Sequence, residues 1–207
     1  MRIRTLVGSL LAGGLLLTAI VPLLAHAQTG TPARAAITSD QTRHDPQLDQ
    51  LRRATDRFHS IAVAEQNGYG LLLDVDKIAC IDMPPMPGMQ GMQGTKGMPA
   101  TGAMGVHWAK GALVGDGKID PNQPEAMVYA PGRDGTLTLA AVEYVVLKAD
   151  WDAKHRYAPV LFGHRFALTD APNRFGLPAF YSLHVWAWKH NPAGTFEMFN
   201  PNVVCPA

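Results

Sequence analysis

One stretch constrains this chain more than any other. From Thr136 to Leu147 the sequence is long, apolar and β-branched at several positions, yet it carries a carboxylate, Glu143, in its midst. A turn-rich segment, Pro131-Gly132-Arg133-Asp134-Gly135, precedes it, and Met127 to Ala130 lies before that. Two apolar runs flanking such a turn predict a β-hairpin. Strict alternation places Leu137, Leu139, Ala141, Glu143, Val145 and Leu147 on one face. A carboxylate on an otherwise apolar face is costly unless it meets an arginine, a histidine, a metal ion or its own proton.

The rest of the chain supplies partners for that hairpin. Asp45-Pro46 reads as an N-cap and first helical position, with Leu48, Leu51, Phe58, Ile61 and Ala62 at helical spacing and Asn67-Gly68 as the stop. This predicts one amphipathic helix over 46–67. Short strands are expected in Tyr69 to Val75 and Pro159 to Leu168. Phe180 to Lys189 is the last strand, with Ser182, His184, Trp186 and Trp188 on one face. One helix followed by strands and long loops predicts an α+β fold, the helix packed on an antiparallel sheet or small barrel; a β-sandwich is the alternative.

The chain has 207 residues and a formal net charge of +1. Arg2 and Arg4, an apolar run from Leu6 to Leu24, and Ala25-His26-Ala27 follow the three-part pattern of a secretory signal peptide. Residues 28–44 read as a flexible leader and 45–207 as one domain. Cleavage removes both arginines, so Lys+Arg falls from 18 to 16 against 17 Asp+Glu, a net charge of −1. That balance argues against a nucleic-acid partner. No other apolar run approaches spanning length, so no membrane association is expected after cleavage. A periplasmic or secreted location is expected, and there Cys80 and Cys205 are expected to form a disulfide closing most of the domain. A redox or metal role for the thiols is the alternative.

His107 follows a glycine-rich turn, and His184 sits among aromatics in mid-strand. With Glu143 they form a candidate site of three protein ligands, suited to Zn, Fe or Mn. Tyr129, Tyr144 or Asn191 would support the ligands, and Trp108, Tyr129, Trp186 and Trp188 would line an adjoining cavity. The alternative is two core histidines, with Glu143 paired to Arg165 or Arg174. His155 and His164 fall in loop-like sequence and His190 beyond the last strand. Asp116 to Asp120 lacks the spaced acids of a calcium loop, and Asp116 and Glu125 flank a surface-like stretch. No nucleophile elbow, Walker loop or dinucleotide fingerprint is present in the sequence.

Met83, Met86, Met89 and Met92 recur every three residues, and Met98 and Met104 continue the bias. Interleaved proline and glycine exclude a helical core stripe, so 83–104 is expected to be an exposed Met-rich loop. Thioethers prefer Cu(I), and the repeat resembles the MxxM stretches of bacterial copper-handling proteins. A low-complexity insertion without a ligand is the alternative.

Several segments resemble an uncharacterised family of secreted bacterial proteins. The shared wording runs from Cys80 through Gly102 to Trp108 (GAMGxH[WY]), Asp116 to Tyr129, Val142 to Val146 (VEYVV) and Pro172 to Pro178. It continues through Leu183 to Trp188 (LHVWxW), Asn191 to Phe196 (NPxGxF) and Asn200 to Cys205 (NPxVxC). The resemblance carries no activity or ligand, but it marks His107, Glu143 and His184 as motif positions. The methionine run departs from it, since the cysteine-to-glycine connection is shorter in the family. Three functions follow: an exported metal-site protein, a small-molecule binding module without metal, and a periplasmic copper-binding protein. Whether the protein is an enzyme, and its oligomeric state, are left open by the sequence.

Overall fold

In a computed structural model, residues 45–83 and 102–206 are described. Asp45 caps the first helix, its carboxylate accepting the Gln47 N–H at 2.8 Å, and α1 runs Pro46–Thr55. The expected single helix is broken. Thr55 bonds back to the Leu51 carbonyl at 2.8 Å, a tight turn spans Asp56–His59, and Ser60 is extended before α2, Ile61–Gln66. The break leaves the Phe58 carbonyl free to accept the Tyr129 hydroxyl at 2.7 Å, which fastens the helical layer to the sheet.

The strands are β1 (Gly70–Leu71), β2 (Cys80–Asp82) and β3 (Ala103–Ala109), then, after the short α3 (Gly111–Val114), β4 (Ala126–Pro131) and β5 (Leu137–Leu147). After α4 (Lys148–Asp152) come β6 (Val160–Leu161), β7 (His164–Arg165), β8 (Ala167–Thr169) and β9 (Phe180–Val185). The main sheet is antiparallel and open, ordered β1-β3-β4-β5-β9-β8, with β2 also on β3; β6 and β7 pair separately. The fold is therefore α+β, with an open sheet in place of a barrel. No helix among the described residues is long and apolar enough to cross a membrane.

Two departures from the expected strands shape the site. Tyr69 to Val75 is not one strand: β1 and β2 both lie along β3, and the chain between them makes an excursion. Asp74 organises that excursion, accepting the Asp76 and Ile78 N–H groups and gripping Arg174 at 2.8 Å. Met104, expected in the Met-rich loop, is instead buried within β3. The glycines before His107 build a strand here, with no turn between them and the histidine. A Cβ on Gly105, where φ is +107°, would stand 2.6 Å from the Tyr129 carbonyl oxygen, so only glycine lets β3 and β4 approach. Met83 donates its N–H to the Gly102 carbonyl at the base of the β2–β3 connection. Met86, Met89, Met92 and Met98 lie outside the described residues.

A β-bulge divides β5. Val128 faces Ala141 and Tyr129 faces Leu139, leaving Ala140 as an extra residue whose carbonyl accepts the Trp188 and Lys189 N–H groups. Strict alternation therefore fails. Leu137 and Leu139 pack with Val142, Tyr144 and Val146 against the helical layer, beside fully buried Leu48 and Leu51. Glu143 is left on the opposite face. A smaller cluster on that side joins Ala103, Val128, Ala140, Ala141 and Trp186 to Val203 of the C-terminal tail. The tail is held by the Cys80–Cys205 disulfide.

Candidate metal centre

The register brings three polar side chains together on the face away from the helices. Glu143 on β5 lies directly across from His184 on β9, and Ala126 of β4 lies across from Glu143 on the other side. His107 on β3 is one strand further away, opposite Val128. Sheet spacing alone would separate β3 from β5 by roughly 9–10 Å. The methyl group of Ala126 is small enough for the two longer side chains to meet above β4.

The meeting is close. His107 Nε2 lies 3.4 Å from Glu143 Oε2, and His184 Nδ1 lies 3.5 Å from Glu143 Oε1. One ligand-type atom from each residue falls within 4.8 Å of the other two. Both imidazoles are buried, their rings edge to face with centroids 5.4 Å apart, and Trp186 stacks on His184. All four ring nitrogens are buried and none has a hydrogen-bond partner among the described residues. Burial opposes ionisation of Glu143, but the facing His184 and His107 outweigh it and hold the carboxyl well below its usual range.

Two features of this geometry favour a cation. Charge-assisted hydrogen bonds close to about 2.7–2.9 Å, so contacts of 3.4 and 3.5 Å are too long for them. Donors bound to one ion at about 2.1 Å in a tetrahedron stand about 3.4 Å apart. Each buried polar nitrogen without a partner costs roughly 1–3 kcal/mol, and a bound ion would satisfy one on each ring. His107, Glu143 and His184 thus form a buried group able to hold a metal ion.

The other expectations fare differently. Arg174 pairs with Asp74, and Glu143 makes no ion pair with arginine among the described residues. Tyr129 and Tyr144 point into the helix-side core, their hydroxyls donating to the Phe58 and Pro121 carbonyls, and Asn191 bonds the Phe199 carbonyl. None of the three supports the ligands. None of the four aromatics expected to line a cavity lines the cleft that adjoins Glu143. Trp108 and Tyr129 belong to the helix-side core, Trp188 packs against it, and Trp186 joins the tail cluster.

That cleft has a volume of about 310 Å³ and is walled by aliphatic and aromatic side chains, among them Leu72, Val145, Leu147, Phe175 and Phe180. Glu143 is the member of the triad on its wall, and Glu125 is the other acidic residue there among the described residues. Sequence reasoning placed Glu125 on the surface, yet it is 2% exposed, and its Oε2 accepts the Val145 N–H at 3.0 Å. It lies just before β4, where β5 runs on past the end of β4 with β9 still paired on its other side, and its side chain takes the place of the missing strand on the β4 side. Burial, aided by Asp116 and Glu143 and opposed by the Val145 N–H, pushes its pKa up to about 8. Its only sequence signal was position: the residue entering a strand opposite a carboxylate-bearing one.

The Asp74–Arg174 clamp supports the cleft wall, since Val75 also donates its N–H to the Arg174 carbonyl, next to Phe175. Arg174, with the backbone hydrogen bond from Ile78, holds the Asp74 carboxyl below its usual value of 3.8. A group lowered on folding adds stability above its unfolded pKa and loses it as pH falls. Asp74→Asn should therefore lower the thermal midpoint at pH 7, and the gap to wild type should close below about pH 4. An equal gap at pH 3 and 7 would show that the clamp acts through shape alone. Comparisons with protein-family models, curated proteins and solved structures return no match.

Proposed function

We propose that this is an exported metal-site protein in which His107, Glu143 and His184 hold one divalent ion, Zn, Fe or Mn, at the edge of an apolar cleft. The observation that carries the reading is the set of four buried, unpartnered imidazole nitrogens flanking a carboxylate at ligand spacing. Two neutral histidines and one carboxylate leave coordination positions for water or a small molecule, which an ion can polarise as a Lewis acid. Export is supported by the three-part N-terminal pattern and by the Cys80–Cys205 bond, which persists in oxidising compartments.

The purified protein should take up one Zn²⁺ per chain. At a hundredfold excess over Kd, the ion should raise unfolding stability by about 2.7 kcal/mol. His107→Ala and His184→Ala should each weaken binding beyond the ~10–100-fold typical of losing a supporting residue. Calorimetric titration alongside elemental analysis checks both. A metal-free protein whose affinity is untouched by either substitution would overturn the reading. A second reading, a binding module without metal, is favoured by the position of Glu143 on the cleft wall. It predicts a ligand that donates hydrogen bonds to that carboxylate.

A further inference from the structure

We infer that the cleft beside Glu143 binds a small hydrocarbon-rich monoanion, its single carboxylate or phenolate oxygen directed at the ion held by His107, Glu143 and His184. This rests on the metal reading and adds the ligand class. Volume sets the size. Ligand pockets span roughly 300–1,000 Å³, so 310 Å³ is a small one, and a dry cavity of ~150 Å³ already accepts benzene. A short alkyl chain or a one-ring aromatic fits.

Lining sets the character. Leu72, Val145, Leu147, Phe175 and Phe180 offer no hydrogen bonds, so most of the ligand must be hydrocarbon. Charge sets the sign. Among the described residues no lysine or arginine lines the cleft, so none of their cationic side chains would pair with an anion there. Glu125, the second acid on the wall, is kept protonated by burial at neutral pH, so a divalent ion with the Glu143 carboxylate and two neutral imidazoles leaves a net charge of +1 in a buried place. One negative oxygen neutralises it, whereas a dianion overshoots and an amine is repelled. Without the ion that positive charge is gone, and the Glu143 carboxylate on the wall, flanked by the two histidines, disfavours an anion.

The test uses the purified protein with its disulfide intact, loaded with Co²⁺ to give a visible spectrum, and octanoate as the probe. Octanoate should shift the cobalt spectrum and bind about 100-fold or more tighter than to the metal-free protein. Octylamine should bind only the metal-free form. Leu72→Trp and Leu177→Trp, at half-buried positions on the rim, should abolish octanoate binding while leaving cobalt uptake unchanged. Cobalt uptake without any response to octanoate would overturn the ligand inference and leave the metal centre standing. Equal octanoate affinity with and without cobalt would also overturn it, since the oxygen end would not be at the ion. Failure to take up cobalt is read before any ligand is added, and it would overturn the metal reading beneath.

Discussion

Replacing both Cys80 and Cys205 by serine should lower the unfolding free energy by roughly 4–5 kcal/mol, close to the whole margin of many domains. The bond joins residues 125 positions apart, so it closes a loop from β2 to the tail and restricts most of the domain in the unfolded chain. The bond also has a local task. Cys80 opens the edge strand β2, which has only three residues, and Cys205 lies in the tail whose Val203 packs with Ala103, Val128 and Trp186. Without the bond these two short segments lose their mutual anchor, and Trp186, stacked on His184, loses part of its cover. Denaturant unfolding of the oxidised protein and of the double variant measures the difference. A loss under about 1 kcal/mol would mean that the reduced unfolded chain is already compact.

Glu125→Gln should strongly change how stability responds to pH. The carboxyl titrates at 4.5 when exposed and at about 8 in the fold. Between those values the unfolded chain is ionised at this position and the folded one is not, so folding takes up a proton. Wild-type stability must then fall as pH rises from about 4.5 to about 8, by about 4–5 kcal/mol for a shift of this size. The amide keeps an acceptor for the Val145 N–H and has nothing to ionise. The variant should match wild type near pH 4 and exceed it by several kcal/mol near pH 9. Measuring both with a chelator present keeps metal binding, which strengthens with pH, out of the comparison. Parallel stability curves would show that Glu125 is hydrated in the folded protein.

The pairing of Glu143 with two histidines could be read from the sequence because cost drives it: a carboxylate in an apolar run demands a partner, and few polar residues lie on other strand-like stretches. The disulfide was readable for a similar reason, since only two thiols are present. Less was visible where tertiary contacts override local pattern. The bulge at Ala140 leaves no trace in composition, so Leu137 and Leu139 were placed on the wrong face. Strand β3 hid behind Gly102 and Gly105, which serve close approach to the tail at Asn200 and to β4 at Tyr129. The helix broke where the Tyr129 hydroxyl claims a carbonyl, and tyrosine spacing does not announce that. The aromatic residues suggest a cavity because tryptophan and tyrosine suit ligand sites, whereas here the polar tips of Trp108, Tyr129 and Trp188 secure the helical layer and that of Trp186 bonds the Glu197 carbonyl near the tail. Glu125 was missed because a side chain that substitutes for a strand can be recognised only once the strands are in place.

The extra residue in β5 also gives the hairpin slack. In an ordinary strand, losing one residue reverses every side chain beyond it. Here a deletion between Leu139 and Glu143 can be absorbed by straightening the bulge, so that Glu143 still faces His184 and Tyr144 still faces the helices. Loss of either Ala140 or Ala141 gives the same shortened sequence, with Val142 kept in the core. A deletion beyond Glu143 has no such reserve. The carboxylate end of the site is therefore buffered against length changes on its turn side, and rigidly phased to β9 on the other.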